Sequence, residues 1–196
     1  MIVYIQPLKL VSGINLSSLS NLTYLNLSNN DFTADVWSSY SNLPNLEEIY
    51  VGHNNCNISN TDFSGFSGLK SLDISKLNLT EIPASLGSLQ KLSSLNVSNN
   101  AIVSFSNLSS LNQLQELNLA NNNLNKVPSE IINFISLKSL DLSNNIITDF
   151  SSLSNLINLE WLSLENNSLQ NIPNQVSNLQ KLIHLNLGRN KINGST

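Results

Sequence analysis

The chain has 196 residues and a formal net charge of −4, and its composition is 40% hydrophobic but only 6% aromatic and 11% charged. This bias towards small and aliphatic residues favours a repeated structural unit over a globular core of mixed large side chains. Its nine Lys and Arg residues are scattered singly, so no basic stripe is available to neutralise phosphates and no nucleic-acid partner is expected. No apolar run reaches the roughly 20 residues of a membrane helix, so we expect no membrane insertion by this segment.

The first residues and the cysteine content bear on the compartment. Residues 1–7 have neither a basic region nor a small-residue cleavage pattern after them, so no signal peptide is predicted. Cys56 is the single cysteine, which excludes an internal disulfide and favours a reducing compartment. We therefore expect a cytoplasmic protein. The alternative is the extracellular part of a membrane receptor, with signal, caps and membrane span outside this chain.

The pattern LxxLxLxxNxL recurs along the chain at intervals of 22–24 residues. Its eight units begin at Leu22, Leu46, Leu69, Leu92, Leu114, Leu137, Leu159 and Leu182. Residues 1–21 hold a degenerate first unit with apolar residues at Leu8, Leu10, Ile14, Leu16 and Leu19. Regular spacing with a constant internal pattern indicates a repeat array. The sequence therefore predicts a single repeat domain over residues 1–196.

The alternating leucines of each unit predict a strand, because side chains point to opposite faces with period two. Eight parallel strands, centred on the pairs from Leu25/Leu27 to Leu185/Leu187, are expected to bury one continuous face by stacking. The return stroke supplies a row containing Tyr40, Phe63, Leu86, Leu108, Ile131, Leu153 and Val176, and another containing Leu43, Phe66, Leu89, Leu111, Phe134, Leu156 and Leu179. Because so short a repeat leaves little room for a full helix, short 3₁₀ segments are expected there.

Asparagine closes each strand at a fixed position. The column contains Asn30, Asn54, Asn100, Asn122, Asn145, Asn167 and Asn190. A side-chain amide at this point can satisfy backbone groups of the turn that stacking would otherwise leave buried and unpaired. In the unit that begins at Leu69, Leu77 occupies the column and Asn78 follows it. We expect one rung of the ladder to be lost or shifted at residues 75–79.

These repeats resemble the leucine-rich-repeat family. The motifs Ile82-Pro83, Val127-Pro128 and Ile172-Pro173 are similar to the IPxxI repeats of intracellular Ras-associated scaffolds. Units with Phe105-Ser106 and Phe150-Ser151 resemble the 22-residue repeats of internalins and of a phosphatase regulatory subunit. The resemblance implies an α/β fold, a right-handed solenoid shaped as a horseshoe, with one curved parallel sheet and short 3₁₀ segments or loops on the convex side. It also implies a non-catalytic protein-binding module.

No residue pattern predicts catalysis, a cofactor or a metal site. His53 and His184 lie five to six repeats apart, so they cannot share a site, and zinc requires three or four converging ligands. Cys56 occupies an apolar position of its repeat, so a buried structural thiol is expected there rather than a nucleophile. We therefore expect a protein that is not an enzyme.

The outward positions of the strands are the candidate contact surface, which in this family is the concave face. Small polar residues such as Ser94, Ser98, Ser139, Ser143 and Ser163 are predicted to face outward in its middle, and larger side chains gather at its two ends. The candidate partner-binding residues are Tyr24, Glu48, Tyr50, His53, Asp73, Glu116, Asp141, Trp161, Glu165, His184 and Arg189. Aromatic residues and arginine supply much of the binding energy at protein interfaces, which favours the end clusters as anchors.

Two functions fit this surface. The first is an intracellular scaffold or regulatory protein whose concave face binds a protein partner, as a monomer or as part of a longer chain. The second is the recognition part of a larger receptor or adhesion protein. The last unit ends after its strand and asparagine turn with no return stroke, so we expect a continuation or a covering chain at that end.

Overall fold

The computed structural model describes residues 2–4, 16, 18–33 and 43–193. Its strands are β1 (Ile2–Tyr4), β2 (Tyr24–Asn26), β3 (Glu48–Tyr50), β4 (Ser71–Asp73), β5 (Ser94–Asn96), β6 (Glu116–Asn118), β7 (Ser139–Asp141), β8 (Trp161–Ser163) and β9 (His184–Asn186). They form one parallel sheet in which every strand lies beside its neighbours in sequence. The predicted solenoid with a single parallel sheet is confirmed.

The first strand was not predicted. β1 pairs in parallel with β2, with Ile2 opposite Tyr24 and Tyr4 opposite Asn26. The degenerate first unit therefore contributes a strand of its own, but it lacks the alternating leucines by which the other units are aligned. Leu16 of this unit is buried and Leu19 is partly buried, whereas Leu8, Leu10 and Ile14 lie outside the described residues.

The register of the sheet stacks the leucines of successive units. Leu95 pairs with Leu117, which pairs with Leu140, and the same column continues to Leu162. Strands β2 to β9 are each centred on the first apolar residue of the alternating pair, one residue earlier than the sequence predicts. The second leucine enters the turn and is still buried, as at Leu119, whose amide donates to Asp141 O at 2.8 Å. Each full burial of such a side chain stabilises the fold by about 1.5–3 kcal/mol.

The return strokes form the opposite wall of the core. Both predicted apolar rows are buried where the structure describes them, except that Val176 is partly buried; Tyr40 lies outside the described residues. The predicted 3₁₀ helices are present at Ala84–Ser88, Ser106–Leu108, Ser129–Asn133, Ser151–Asn155 and Asn174–Asn178. Pro83, Pro128 and Pro173 immediately precede three of them, where a fixed φ and a missing N–H suit the start of a helix.

The asparagine ladder forms as predicted, and Asn145 shows its geometry. Its Nδ2 donates to Leu142 O at 3.0 Å, Ser143 O at 3.1 Å and, in the preceding unit, Leu119 O at 3.1 Å. Its Oδ1 accepts from Leu124 N at 3.1 Å. From Asn54 onward, each such amide satisfies its own turn and the turn before it. This ties adjacent repeats together through groups that would otherwise be buried unpaired.

The asparagine ladder lacks one rung, at Leu77, as the sequence predicted for residues 75–79. Leu77 is only 3% exposed and cannot replace the amide, while Asn78 is exposed and adopts a left-handed φ of 57°. Asn100 Oδ1 accepts from both Leu77 N and Leu79 N at 3.0 Å. Asn100 of the following unit thus fixes this turn. The turn itself has no side-chain amide with which to bond the backbone of the unit before it.

The last described unit is exposed on its outer side. Leu185 is 37% exposed, whereas Leu162, its neighbour in the column, is fully buried. Leu182 and Leu187 are only partly buried, and Ile183 is 85% exposed. The described residues therefore leave apolar surface at this end of the stack.

We expect Leu119→Ala to lower the free energy of unfolding by about 2–5 kcal/mol, because it opens a cavity between stacked repeats. Ser94→Ala, on the outward face, is the control and should change it by no more than about 0.5 kcal/mol. Chemical denaturation of both variants measures the difference. Equal losses would mean that the inward and outward faces of the strands have been exchanged.

Candidate functional site: the outward face of the sheet

The register that buries the leucines also aligns the outward side chains in columns. The first column contains the residues that open β2 to β9, namely Tyr24, Glu48, Ser71, Ser94, Glu116, Ser139, Trp161 and His184. The second column contains those that close the strands, namely Asn26, Tyr50, Asp73, Asn96, Asn118, Asp141, Ser163 and Asn186. Neighbours in a column are about 4.8 Å apart. We call the surface formed by both columns the sheet face.

Most of the second column also caps the turn that follows. Asp73 Oδ1 accepts from Ser75 N at 2.8 Å, and Asp141 Oδ1 accepts from Ser143 N at 2.9 Å. The asparagines in the same column make the equivalent contact, as at Asn118 with Ala120 N. Asp73 and Asp141 were predicted as partner-binding residues, and each commits one carboxylate oxygen to the fold. The second oxygen of Asp73 accepts from Asn96 Nδ2 at 2.9 Å.

Several short residues predicted to face outward are buried. Ser98, Ser143 and Ser163 are 5%, 7% and 3% exposed. Two of them lie in the turn where the chain bends inward, and a short side chain is readily covered by the longer ones in adjacent units. The accessible part of the sheet face is therefore confined to the first column and the larger members of the second.

The end of the sheet face near β2 and β3 carries an aromatic cluster. The rings of Tyr24 and Tyr50 lie 5.3 Å apart at an interplanar angle of 38°, within the range of favourable aromatic pairs. Tyr50 Oη donates to Glu48 Oε2 at 2.9 Å and lies 3.4 Å from Ser71 Oγ. His53 is exposed in the next turn at a left-handed φ of 60°. The structure thus brings together three of the four residues predicted for this end.

The end near β8 and β9 carries a second cluster. Trp161 and His184 are stacked, with ring centroids 5.6 Å apart and an interplanar angle of 6°. Glu165 accepts from Asn186 Nδ2 at 2.9 Å and pairs with Arg189 Nε at 3.4 Å. All four residues predicted for this end lie next to one another in these two pairs. Asn186 was not among the predicted site residues, because nothing in its column distinguishes it by sequence.

A concave basin lies between the two clusters. Its volume is about 380 Å³, and it is lined by Ser94, Leu95, Asn96, Glu116, Leu117, Asn118, Ser139, Asp141 and Trp161. Glu116 is held on its rim by Ser94 Oγ, which donates to Glu116 Oε2 at 3.0 Å. In the sequence, the outward positions here are mostly small and polar and form no recognisable motif. The structure makes this region a depression because the Ser139 side chain is shorter than those of Glu116 and Trp161 on either side.

A larger groove of about 880 Å³ lies away from the sheet face. It is lined by residues 147–150 and 168–175, which come from two successive return strokes. Its one acidic side chain, Asp149, accepts from Ser151 N at 2.9 Å, and this contact lowers the pKa of the carboxyl. The groove therefore offers amide and hydroxyl groups and a single carboxylate, one oxygen of which is held by its own turn.

The described residues offer little for catalysis or metal binding. No group of three or more His, Cys, Asp and Glu residues that could hold a metal ion occurs among them, and none of their helices is long and apolar enough to cross a membrane. His53 follows β3 and His184 opens β9, so the two imidazoles are far apart in the strand order. Cys56 is 1% exposed, which confirms the predicted buried thiol.

Comparison with known families agrees with this architecture. The family profile described as leucine rich repeat matches residues 20–79, 67–124 and 112–169, which together are more than half of the chain. The chain belongs to the leucine-rich-repeat family. Its repeats therefore account for both the columns of the sheet face and the asparagine ladder.

Three relatives of this leucine-rich-repeat chain are informative. Internalin C2 of Listeria monocytogenes is 28% identical with a TM-score of 0.77, over 90% of this chain and 77% of that one. A structure of a TLR13–ssRNA13 complex is 30% identical with a TM-score of 0.77, over 90% of this chain and 26% of that one. Among curated proteins, a transforming growth factor beta activator, LRRC33 of Danio rerio, is 31% identical over 43% of this chain. The matched part spans 14% of that relative's length.

Tyr50 gives the leucine-rich-repeat sheet face a measurable pH response. Partial burial raises the pKa of its phenol; the contact with Ser71 lowers it, and the hydrogen bond and charge of Glu48 raise it. Because the folded pKa lies above the unfolded value of about 10, this phenol's contribution to stability is complete below that pH and is lost as pH rises through the folded pKa.

We expect the absorbance difference between the wild type and Tyr50→Phe to titrate at a pH above that of ordinary tyrosine. An alkaline titration followed by tyrosinate absorbance measures it, with Tyr24→Phe as the control for loss of a neighbouring phenol. A difference curve centred at or below the usual tyrosine range would contradict the partly buried position of Tyr50 beside Glu48.

Proposed function

We propose that the sheet face of this chain binds a protein partner and that the chain is a non-catalytic interaction module. The single observation that carries the proposal is the arrangement of this face: two clusters with aromatic side chains flank a polar basin on one rigid sheet. Aromatic anchors beside a depression are the features from which protein interfaces draw most of their binding energy. The backbone beneath them is fixed by strand pairing, which reduces the entropy cost of binding.

The charge of the sheet face supports a protein rather than a nucleic acid. Glu48, Asp73, Glu116 and Asp141 lie in its two columns, and the structure shows an ion pair to none of them among the described residues. Such a surface repels a phosphate backbone, whose binding depends on neutralisation by basic side chains. The similar TLR13 structure contains single-stranded RNA, so RNA binding occurs on this fold, but the charges of this chain favour a different ligand.

The compartment and the biological role are part of the proposal. We infer an intracellular scaffold or regulatory protein, because the single cysteine provides no disulfide-bonded cap. The second candidate is an extracellular recognition module. It is favoured by the likeness to the zebrafish protein named for activating a growth factor.

Quantitative affinity capture tests the proposed function. Immobilised wild-type chain and the Tyr24→Ala/Trp161→Ala variant are compared for the proteins that they retain from a cell extract. Truncating an aromatic hot-spot residue costs about 2 kcal/mol or more, so retention of the partner should fall by at least about tenfold.

The control variant carries two substitutions on the convex side, Ile132→Ala and Ile135→Ala, at positions that are 42% and 61% exposed. It should retain the partner at the wild-type level. Thermal denaturation of all three chains verifies that they are folded. If the sheet-face variant captures the same proteins in the same amounts, the sheet face is not the binding surface.

A further inference from the structure

The basin contains a narrow slot on three neighbouring strands. Glu116, Ser139 and Trp161 are direct partners in the first column on β6, β7 and β8. Two strand spacings separate the backbones of Glu116 and Trp161 by about 10 Å, and only a serine side chain stands between them. Asp141 lies two residues after Ser139 on β7, where it closes one end of the gap. The slot therefore has a carboxylate wall, an indole wall and a second carboxylate at its end.

Contacts within the fold hold each wall in place. Ser94 Oγ, on β5 at the side of Glu116 away from the slot, donates to Glu116 Oε2 at 3.0 Å and leaves Oε1 for a ligand. Ser143 N donates to Asp141 Oδ1 at 2.9 Å and leaves Oδ2. Trp161 stacks on His184 at 5.6 Å, which fixes the plane of the indole. A site whose groups are already ordered loses less conformational entropy when a ligand enters.

No ion pair between described residues balances the charge of the slot. The ion pairs between described residues are Lys70–Glu47 and Arg189–Glu165, and neither involves Glu116 or Asp141. Lys138, which precedes Ser139 in sequence, makes no ion pair within the described part of the chain. The chemical complement of this slot is therefore a cation with a flat surface that can lie against the indole.

We propose that the slot receives the guanidinium group of an arginine carried by an extended segment of a protein partner. The guanidinium is planar, so it can stack on Trp161 while its N–H groups donate to Glu116 and Asp141. A lysine ammonium has the charge but neither the plane nor the forked donors, and it binds more weakly here. This inference rests on the proposed function and names the chemistry that the partner supplies.

The test is a titration of the isotopically labelled full chain, followed by the NMR signals of its two indole N–H groups. Trp161→Phe assigns the signals, because the signal that remains belongs to Trp37. N-acetyl-arginine amide should shift the Trp161 signal saturably. N-acetyl-lysine amide should bind at least about threefold more weakly because it lacks the planar fork, and the neutral isostere N-acetyl-citrulline amide should cause no saturable shift.

Two matched double variants separate the slot from general charge. Glu116→Gln/Asp141→Asn should weaken binding of the arginine derivative by at least about tenfold, since hydrogen bonds to charged groups are lost. Glu81→Gln/Glu130→Gln makes the same change of net charge away from the sheet face and should leave binding unchanged. An equal response to citrulline, a response of the Trp37 signal alone, unaltered binding to the slot variant, or saturable binding of oligouridylate instead of arginine would each overturn the proposal.

The same variants distinguish failure of this inference from failure of the proposed function. If the captured partner is lost with Tyr24→Ala/Trp161→Ala but retained fully with Glu116→Gln/Asp141→Asn, the arginine slot is wrong and the protein-binding face stands. If neither sheet-face variant loses the partner, the proposed function itself is wrong.

Discussion

In-phase parallel pairing of three-residue strands is the constraint on which the rest of this structure depends. Each strand contributes one residue to the leucine column and has almost no independent stability. The sheet face therefore exists only because successive units stack in the same register. From Asn54 onward, the asparagine amides of the ladder reinforce this register, because each one bonds to the backbone of two units. A shift of one residue would exchange the buried and outward sets.

The sheet face follows from that register rather than from any dedicated motif. A residue in the first column has its neighbours placed by the adjacent strands, so a serine between Glu116 and Trp161 becomes the floor of a slot. Likewise, Trp161 and His184 are stacked because they occupy successive positions of one column. Substitutions in these columns can change recognition while leaving the leucine core intact, which is how repeat proteins separate binding from stability.

Much of the fold was predictable because the repeat period carries it. The leucine columns, both rows of the return stroke, the buried Cys56 and the missing rung at Leu77 all follow from aligning one unit on the next. β1 was missed because Ile2–Tyr4 lacks the alternating leucines, so only pairing with β2 reveals it. The predicted strand centres were off by one residue, since the second apolar residue of each pair already lies beyond the strand. It is buried in every unit from Leu27 to Leu164 and partly buried at Leu187.

The site was less predictable than the fold. The sequence identified the residues that occupy the outward columns, but not which of them contact one another or how deeply the short ones are buried. Ser98 and Ser143 are hidden by packing that no single repeat encodes. The slot depends on the relative heights of Ser139, Glu116 and Trp161 on three strands, and this becomes evident only when the strands are placed side by side.

The central claim is that a partner covers the sheet face, and site-specific photocrosslinking tests it most directly. A benzoylphenylalanine at position 71 lies in the first column of the sheet face on β4, outside the slot, and one at position 132 lies on the convex side at a 3₁₀ helix. The account predicts a covalent adduct with the captured partner from position 71 and none from position 132. An adduct from position 132 alone would place the partner on the convex side and contradict the account.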